Sequence, residues 1–260
     1  MCSFSPASLD EVIITIVRHG ETSYNHSKTV QGHLDVPLNT QGLAQASTTG
    51  RVLAARGCKG FDQAWSSDLS RAKVTARTIL DKAGFERMSV REDERLRERF
   101  LGTMQNKRRG ECTAADSKTI EPTSEFAGRL LSFWDERFPF TPTSTATSNG
   151  STAAHGMNEE GSSSASPRQW LIVSHGGSIR QLLHSLLINR SSNYFLSPTE
   201  FSDPLDQVLD RRIGNCCFTE IRMRRGEEGW LGVVYKYADE GHFEDDPRAP
   251  SPGRNEDVVE

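Results

Sequence analysis

Residues 12–20 read VIITIVRHG, and residues 170–177 read WLIVSHGG. In both places a run of mostly β-branched and apolar residues leads into a His-Gly pair. An apolar run of this length, with no polar alternation, is typical of a strand that is buried on both faces of a parallel sheet. The two runs therefore predict two central strands of an α/β protein.

The histidines that follow these strands, His19 and His175, are candidate functional residues. Parallel sheets bind ligands at the carboxyl ends of their strands, where the strand order reverses. We expect both histidines to lie at that edge of the sheet. Taken singly, a histidine at a strand end more often only binds a backbone carbonyl, so the pair is more informative than either member.

Strands and helices alternate along the rest of the chain. Apolar spacing and turn residues predict strands at 12–17, 61–66, 88–91, 170–173, 216–223 and 231–237, and helices at 40–56, 69–83, 125–137 and 177–187. Asp68 is a candidate cap for the second helix, and Thr123 or Ser124 for the third. This order predicts a three-layer α/β/α sandwich with a mostly parallel central sheet and an antiparallel edge hairpin.

The composition along the chain predicts a single domain over residues 10–238. Residues 141–167 are mostly Ser, Thr, Ala, Gly, Asn and Pro, with Met157 as the only large apolar residue. Such a segment buries too little apolar surface to offset its ordering entropy, so we expect a disordered insertion there. Residues 239–260 are acidic and contain proline, which predicts a disordered acidic tail.

The overall charge and the cysteines indicate which partners and which cellular compartment to expect. The chain has 260 residues and a net charge of −4, which argues against a nucleic-acid partner. No apolar run reaches the roughly 18 residues that would span a membrane, and the first residues resemble no secretory signal. We expect a cytoplasmic protein, with the nucleus as an alternative, in which all the cysteines are free thiols: Cys2, Cys58, Cys112, Cys216 and Cys217.

The residues around His19 point to phosphate chemistry. An imidazole nitrogen can attack phosphorus, and the N–P bond that forms is easily hydrolysed. Arg18 offers a planar guanidinium that matches phosphate oxygens, and Asn25 can donate a hydrogen bond to them. Arg71 lies at a predicted helix N-terminus, which is a natural anion site, although a solvated surface arginine is an equal alternative.

Glu98 is a carboxylate between Arg97 and Arg99. A run of charges most often marks a solvated loop or helix. The alternative is an acid–base group near the phosphate, which the spacing does not decide.

Taken together, these segments resemble the histidine phosphatase superfamily, also called phosphoglycerate mutase-like. The resemblance implies that His19 is the phosphorylated nucleophile, and that Glu98 protonates the leaving alcohol and then activates water. It also implies phosphate contacts by His175 and by Arg18, Asn25, Arg71 and Gly176, with no metal and no cofactor. The matching segments occur in family order: Arg18 to Thr22 with Asn25, Gln31-Gly32 to Pro37-Leu38, Ser66 to Ala72, Leu96 to Arg99, and Ser174 to Gly177.

The segments that shape the substrate pocket depart from the family pattern. Many members have Glu-Gly-Lys where this chain has Gln105-Asn106-Lys107. Gln31, Gly32 and Lys107 are candidates for the substrate loop. Lys107 and Arg108-Arg109 could reach a second anionic group of the substrate, or could form a solvated loop.

The sequence therefore predicts a metal-independent phosphatase for a small phosphorylated metabolite, of the sugar bisphosphate or phosphoglycerate class. The length from Gly102 to Lys107 fits the phosphatase branch of the family, and the start of the chain and the Leu96–Arg99 segment most resemble its fructose-2,6-bisphosphatase-type members. A mutase-type phosphotransferase is one alternative. A non-catalytic interaction protein on the same fold is another, and the oligomeric state stays open.

Overall fold

The computed structural model describes residues 11–139, 167–226 and 229–244. Apart from Pro167, the predicted insertion at 141–167 lies outside the described residues, as do the tail residues 245–260. The described strands are β1 (Glu11–Arg18), β2 (Gln63–Ser66), β3 (Val90–Glu92), β4 (Arg168–Ser174), β5 (Tyr194–Leu196), β6 (Phe218–Gly226) and β7 (Gly229–Asp239). The described α-helices are α1 (Ser23–Ser27), α2 (Thr40–Ala55), α3 (Ser70–Lys82), α4 (Thr123–Arg137), α5 (Gly176–Asn189) and α6 (Leu205–Leu209).

The strands form one sheet in the order β3-β2-β4-β1-β6-β7-β5. Neighbouring strands from β3 to β1 are parallel, and β6 is antiparallel to both β1 and β7. This arrangement confirms the predicted α/β sandwich with a mostly parallel sheet and a β6–β7 hairpin. The three-residue β5, which the sequence pattern did not reveal, pairs in parallel with β7 outside that hairpin.

Helices cover both faces of β1, which explains its unbroken apolar sequence. Successive side chains of a strand point to opposite faces. Ile14 and Ile16 lie in a core with apolar residues of α4 and α5, including Trp134 and Leu183. Val17 lies in a second core with residues of α2 and α3. The β1 strand therefore sits at the centre of the sandwich, and its carboxyl end opens between two helical layers.

Both predicted helix caps are wrong. The N-cap of α3 is Leu69, whose side chain makes no capping hydrogen bond, because Asp68 is drawn away into an ion pair with Arg97. The N-cap of α4 is Pro122, and Thr123 is already the first helical residue. Tertiary contacts thus use the polar side chains that a local pattern would assign to capping.

The folded part of the chain extends beyond position 238. Residues Gly241–Phe243 form a short 3-10 helix, and the side chains of His242 and Phe243 are buried. The Nε2 atom of His242 lies 3.1 Å from the hydroxyl of Thr49 in α2. These residues belong to the segment for which the acidic composition predicts disorder. Burial of their two aromatic rings stabilises an ordered structure there despite the surrounding charges.

Candidate active site

The register between β1 and β4 places the two candidate histidines side by side. Arg18 pairs with Ser174 in the parallel ladder, and the N–H of His19 donates to the Ser174 carbonyl at 2.9 Å. The rings of His19 and His175 lie 5.1 Å apart between centroids, in an edge-on arrangement. Both side chains are buried. The predicted meeting of the two His-Gly pairs at one edge of the sheet is therefore seen in the structure.

His19 is held in one tautomer. Its Nδ1 atom lies 2.7 Å from the carbonyl oxygen of Gly20, and a carbonyl only accepts hydrogen bonds, so Nδ1 carries the proton. Burial lowers the pKa of His19 well below its ordinary value, and the positive charges of Arg18 and Arg71 lower it further. The ring is therefore neutral at physiological pH, with the lone pair on Nε2.

The turn after His19 is fixed by close packing. A Cβ atom on Gly20 would lie 2.5 Å from the carbonyl oxygen of Gly42 in the first turn of α2, so only glycine fits there. The N–H of Gly20 donates to the hydroxyl of Thr75 in α3 at 3.0 Å. Thr75 is a supporting residue that the sequence analysis missed, because a threonine within a helix carries no distinguishing local signal.

His175 is held differently. It is the N-cap residue of α5, and neither of its ring nitrogens has a hydrogen-bond partner within the part of the chain that the structure describes. Burial lowers the pKa of His175 well below its ordinary value, with further contributions from Arg71 and His19. An unsatisfied buried polar group destabilises a fold by about 1–3 kcal/mol. Within the described part of the chain, both ring nitrogens of His175 are therefore available for a further hydrogen bond.

Two buried arginines complete the cationic part of the site. A terminal nitrogen of Arg18 donates to the carbonyl of Ile213 at 3.1 Å. The terminal nitrogens of Arg71 donate to the carbonyls of Leu34 at 2.7 Å and Gly32 at 2.8 Å. Both guanidinium groups are thus oriented by the backbone, next to the histidines whose pKa values they lower.

The predicted substrate loop contacts Arg71. Gly32 supplies one of the carbonyls that hold this arginine, and its φ of +52° lies in the left-handed region. A Cβ atom there would overlap the side-chain oxygen of Gln105, which also accepts a hydrogen bond from the N–H of His33 at 2.7 Å. The buried Gln31 accepts from the Thr22 hydroxyl at 2.9 Å. The Gly32 carbonyl of this loop therefore helps to orient Arg71.

Asn25 lies in α1, immediately after the His19 turn. It forms a capping box with Thr22: the N–H of Thr22 donates to Asn25 Oδ1 at 3.1 Å, and the N–H of Asn25 donates to the Thr22 hydroxyl at 3.1 Å. The side chain of Asn215, which the sequence analysis missed, donates to the carbonyl of His19 at 2.9 Å. Asn215 lies in a loop before β6, where no sequence pattern marks it.

Glu98 lies beside the N-terminus of α5. Its Oε2 accepts from the N–H of Gly177 at 2.9 Å, and its Oε1 accepts from the N–H of Arg99 at 2.8 Å. Glu98 is buried, and a Cβ atom on Gly177 would overlap its carboxylate. Gly176, in turn, would bring a Cβ atom to 3.3 Å from Nε of Arg18. The two glycines after His175 therefore let the carboxylate and the guanidinium approach the same helix end.

The backbone around Glu98 is held by residues that the sequence analysis did not identify. Arg129 in α4 donates to the carbonyls of Arg95, Arg97 and Glu98 at 2.7–2.8 Å. His33 Nε2 lies 2.7 Å from the Glu98 carbonyl. The hydroxyl of Ser178 donates to the Arg97 carbonyl at 2.8 Å. A surface arginine in an amphipathic helix gives no sequence signal for such a role.

The arginines on either side of Glu98 turn away from it. Arg97 forms an ion pair with Asp68, and Arg99 donates to the Glu121 carbonyl at 2.8 Å. Lys107 is also engaged elsewhere, because its Nζ lies 2.7 Å from Oδ1 of the buried Asp116. The geometry thus gives a direct structural role to Lys107.

The described residues contain no group of three or more His, Cys, Asp or Glu side chains that could hold a metal ion. Four of the predicted free thiols lie within the described ranges, and all four are free: Cys58, Cys112, Cys216 and Cys217. None of the described helices is both long enough and apolar enough to cross a membrane.

Comparison with known proteins places the chain in a family. The model of the histidine phosphatase superfamily (branch 1) matches residues 14–234. The chain is 31% identical over 225 residues to the fructose-2,6-bisphosphatase TIGAR of Bos taurus, a match that covers 74% of this chain and 79% of that protein. A shorter match, 43% identical over 102 residues, covers 39% of this chain and 43% of phosphoglycerate mutase-like protein 4 of Arabidopsis thaliana.

The fold itself is shared with solved structures. A phosphoglycerate mutase from Bacillus anthracis superposes with a TM-score of 0.62 at 18% sequence identity, covering 90% of this chain and 96% of the other.

Proposed function

The chain belongs to the histidine phosphatase superfamily, and from that premise we propose that it hydrolyses phosphate monoesters of small metabolites through a phosphohistidine on His19. One observation carries the proposal. The neutral His19 ring, with Nδ1 bound to the Gly20 carbonyl, carries its lone pair on Nε2, and it lies buried beside His175 and near the buried Arg18 and Arg71.

In the first step, the lone pair of His19 Nε2 attacks phosphorus and the bond from phosphorus to the ester oxygen breaks. The hydrogen bond from Nδ1 to the Gly20 carbonyl stabilises the positive charge that develops on the ring. Because the pKa of free His19 is lowered by burial and by two arginines, the nucleophile needs no base to deprotonate it at neutral pH.

Arg18, Arg71 and His175 stabilise the charge of the transferring phosphoryl group. The two guanidinium groups are oriented before substrate arrives, by backbone carbonyls. Preorganised cations in a buried site stabilise a transition state more strongly than cations in water do. The two guanidinium groups supply the charge neutralisation that Mg²⁺ supplies in many phosphoryl-transfer enzymes, so we expect activity in the presence of EDTA.

Glu98 gives a proton to the leaving alkoxide and, in the second step, takes a proton from the water that attacks phosphorus as the P–N bond breaks. Each of its oxygens accepts one backbone hydrogen bond, and a carboxylate oxygen has two acceptor positions. The N–H groups of Arg99 and Gly177 fix the direction of the carboxyl group throughout.

The substrate class follows from the distribution of charge. The two arginines are buried beside the histidines, which suits one phosphoryl group, in a chain whose net charge is −4. A polymeric anion would need a basic surface beyond the pocket. Sugar bisphosphates and phosphoglycerates are the leading candidates, and the similarity to a fructose-2,6-bisphosphatase favours the first.

The alternative is a mutase, which the phosphoglycerate mutase-like relative keeps open. A mutase must return the phosphoryl group to an alcohol instead of water. A requirement for a bisphosphorylated primer, together with product isomerisation exceeding phosphate release, would favour the mutase.

The decisive experiment is to trap the intermediate. The protein is mixed with ³²P-labelled fructose 2,6-bisphosphate, 2,3-bisphosphoglycerate or simple monophosphates, with EDTA present, and quenched in alkali within milliseconds. We expect acid-labile label on His19 and release of phosphate with at least one substrate. Absence of both across the panel would refute the proposal.

A further inference from the structure

Asn215 lies directly behind the nucleophile, in the short loop that leads into β6. Its side chain is fully buried. Two backbone hydrogen bonds join this loop to Arg18. The Arg18 N–H donates to the Cys217 carbonyl at 3.2 Å, and the Cys216 N–H donates to the Arg18 carbonyl at 3.0 Å. Cys216 has a φ of +57°, a strained value for a residue with a side chain. This strained residue directly follows Asn215, whose side chain contacts the His19 carbonyl.

The amide nitrogen of Asn215 contacts two acceptors. It lies 2.9 Å from the carbonyl oxygen of His19 and 3.4 Å from Oδ1 of Asn25. Both neighbours are oxygen atoms that accept hydrogen bonds, so the NH₂ group, and not the amide oxygen, must face them. The two hydrogens of this one NH₂ group thus link the nucleophile's backbone to the side chain of Asn25.

This link adds to the Thr22 contacts that set which way Asn25 faces. Asn25 Oδ1 also accepts the N–H of Thr22 at 3.1 Å, so its oxygen is held on the side of Thr22 and Asn215. The NH₂ group of the same planar amide is then turned to the opposite side. A donor in that orientation is what a phosphate oxygen beside His19 requires.

Burial of Asn215 leaves one of its polar atoms without a hydrogen bond, which packing alone does not explain. Its Oδ1 is buried without a hydrogen-bond partner among the residues that the structure describes. An orphaned amide oxygen destabilises a fold, and such costs concentrate at functional sites.

From these contacts we infer that Asn215 is a positioning residue, which holds the backbone of His19 and turns the amide of Asn25 toward the transferring phosphoryl group. The inference rests on the proposed phosphohistidine function. In the transition state, Asn25 donates to a phosphoryl oxygen whose charge is growing, while Asn215 touches no reacting atom. Loss of Asn215 should therefore lower kcat more than it raises KM.

The test is a double-mutant cycle on the full chain, built from Asn215→Ala, Asn25→Ala and the double variant. Single-turnover phosphorylation of His19 is measured by rapid quench. We expect Asn215→Ala to slow this step about 100-fold in the wild-type background, but only about 10-fold in the Asn25→Ala background, since the remaining effect is the lost contact with the His19 carbonyl. KM should change less than about threefold.

The matched control is Asn193→Ala. Asn193 is also a buried asparagine, and it donates to a backbone carbonyl, that of Trp230 at 3.2 Å, beside β5. We expect Asn193→Ala to leave the phosphorylation rate unchanged. If Asn215→Ala does not fold, Asn215→Ser keeps one donor, one bond nearer the backbone, and should show a smaller loss with the same dependence on Asn25.

Equal effects of Asn215→Ala in both backgrounds would overturn the positioning role while leaving the proposed function intact. A rate unchanged by Asn215→Ala would do the same. A wild-type chain that never phosphorylates His19 would instead refute the proposed function, so the two failures can be told apart.

Discussion

The ends of β1 and β4 use the same local sequence to present two histidines in different ways. After His19 the chain turns, and the carbonyl of Gly20 is left to bind Nδ1 at 2.7 Å. After His175 the chain enters α5 at once, and the carbonyl of His175 itself accepts from the N–H of Ile179 at 3.0 Å. The neighbouring carbonyls are used by the helix, so the ring of His175 has no described partner.

Two strand ends with the same His-Gly sequence can therefore serve two roles. A ring locked by a carbonyl has a defined tautomer and direction, which suits a nucleophile that must attack along one line. A ring without a partner gains its hydrogen bond only when an anion arrives, which suits a group that binds phosphate. The choice between the roles depends on whether a turn or a helix follows the histidine.

The strongest test of this contrast replaces each histidine by alanine. We expect His19→Ala to lower kcat by at least about 10⁴-fold, since no other group forms the covalent intermediate. We expect His175→Ala to lower kcat about 10²–10³-fold while phosphohistidine still forms, since it removes one stabilising contact. Steady-state kinetics and rapid-quench trapping measure both.

Two results would contradict these different roles: accumulation of label on the His19→Ala protein at the wild-type rate, or complete loss of trapping in His175→Ala. His184→Ala serves as a control, because His184 lies on the exposed face of α5 and should leave both readouts unchanged.

A smaller effect is expected at the acid–base carboxylate. Glu98→Gln keeps the size of the side chain but removes its proton-transfer capacity. We expect about a 100-fold loss of kcat/KM for alkyl phosphates and less than about 10-fold for p-nitrophenyl phosphate, whose leaving group needs no proton. Equal losses on both substrates would argue that Glu98 only braces the N-terminus of α5.

The contrast between the two histidines also indicates what the sequence could reveal. The two apolar runs predicted the central strands and the meeting of His19 and His175, because a strand buried on both faces has a strong pattern. The β6–β7 hairpin was also predicted. The short β5 was not, since three residues carry no periodicity, and the caps of α3 and α4 failed because Asp68 and Thr123 serve Arg97 and Arg99 instead.

The candidate site was predicted as a set of residues, but not as a set of contacts. Arg18, Arg71, Glu98 and the two histidines lie together, as their motifs indicated. The supports of the site could not be foreseen, because Thr75, Arg129 and Asn215 act through backbone carbonyls and hydroxyls that only the tertiary fold brings near. Lys107 is a candidate for contact with a second anionic group or for a solvated loop, and its described partner is Asp116.

Both histidines should also make stability depend on pH. Their pKa values are lowered in the folded state, mainly by burial, so below about pH 6.5 the unfolded chain takes up protons that the folded chain does not. The free energy of unfolding should therefore fall as pH falls, by up to about 1.4 kcal/mol per pH unit for each histidine.

Urea titrations at pH 7.0 and 5.5 measure this dependence. The His19→Ala/His175→Ala double variant should lose less stability over this interval than the wild-type protein, because alanine takes up no proton. Identical losses in the two proteins would show that the acid sensitivity arises elsewhere, for example at the half-buried His33, whose pKa burial also lowers.

The smallest expected effect on catalysis is at Lys107. Its ammonium group holds the pKa of Asp116 well below its usual range, and the same carboxylate accepts from the hydroxyls of Thr103 and Thr113 at 2.7–2.8 Å. Lys107→Ala should therefore lower the melting temperature, while kcat/KM changes less than about threefold for monophosphates and bisphosphates alike. Lys118→Ala, at an exposed position in the same segment, should change neither quantity. If Lys107→Ala selectively lowered kcat/KM for a bisphosphate, this lysine would bind the second anionic group of the substrate, and the substrate loop would extend further from the two histidines than its described contacts indicate.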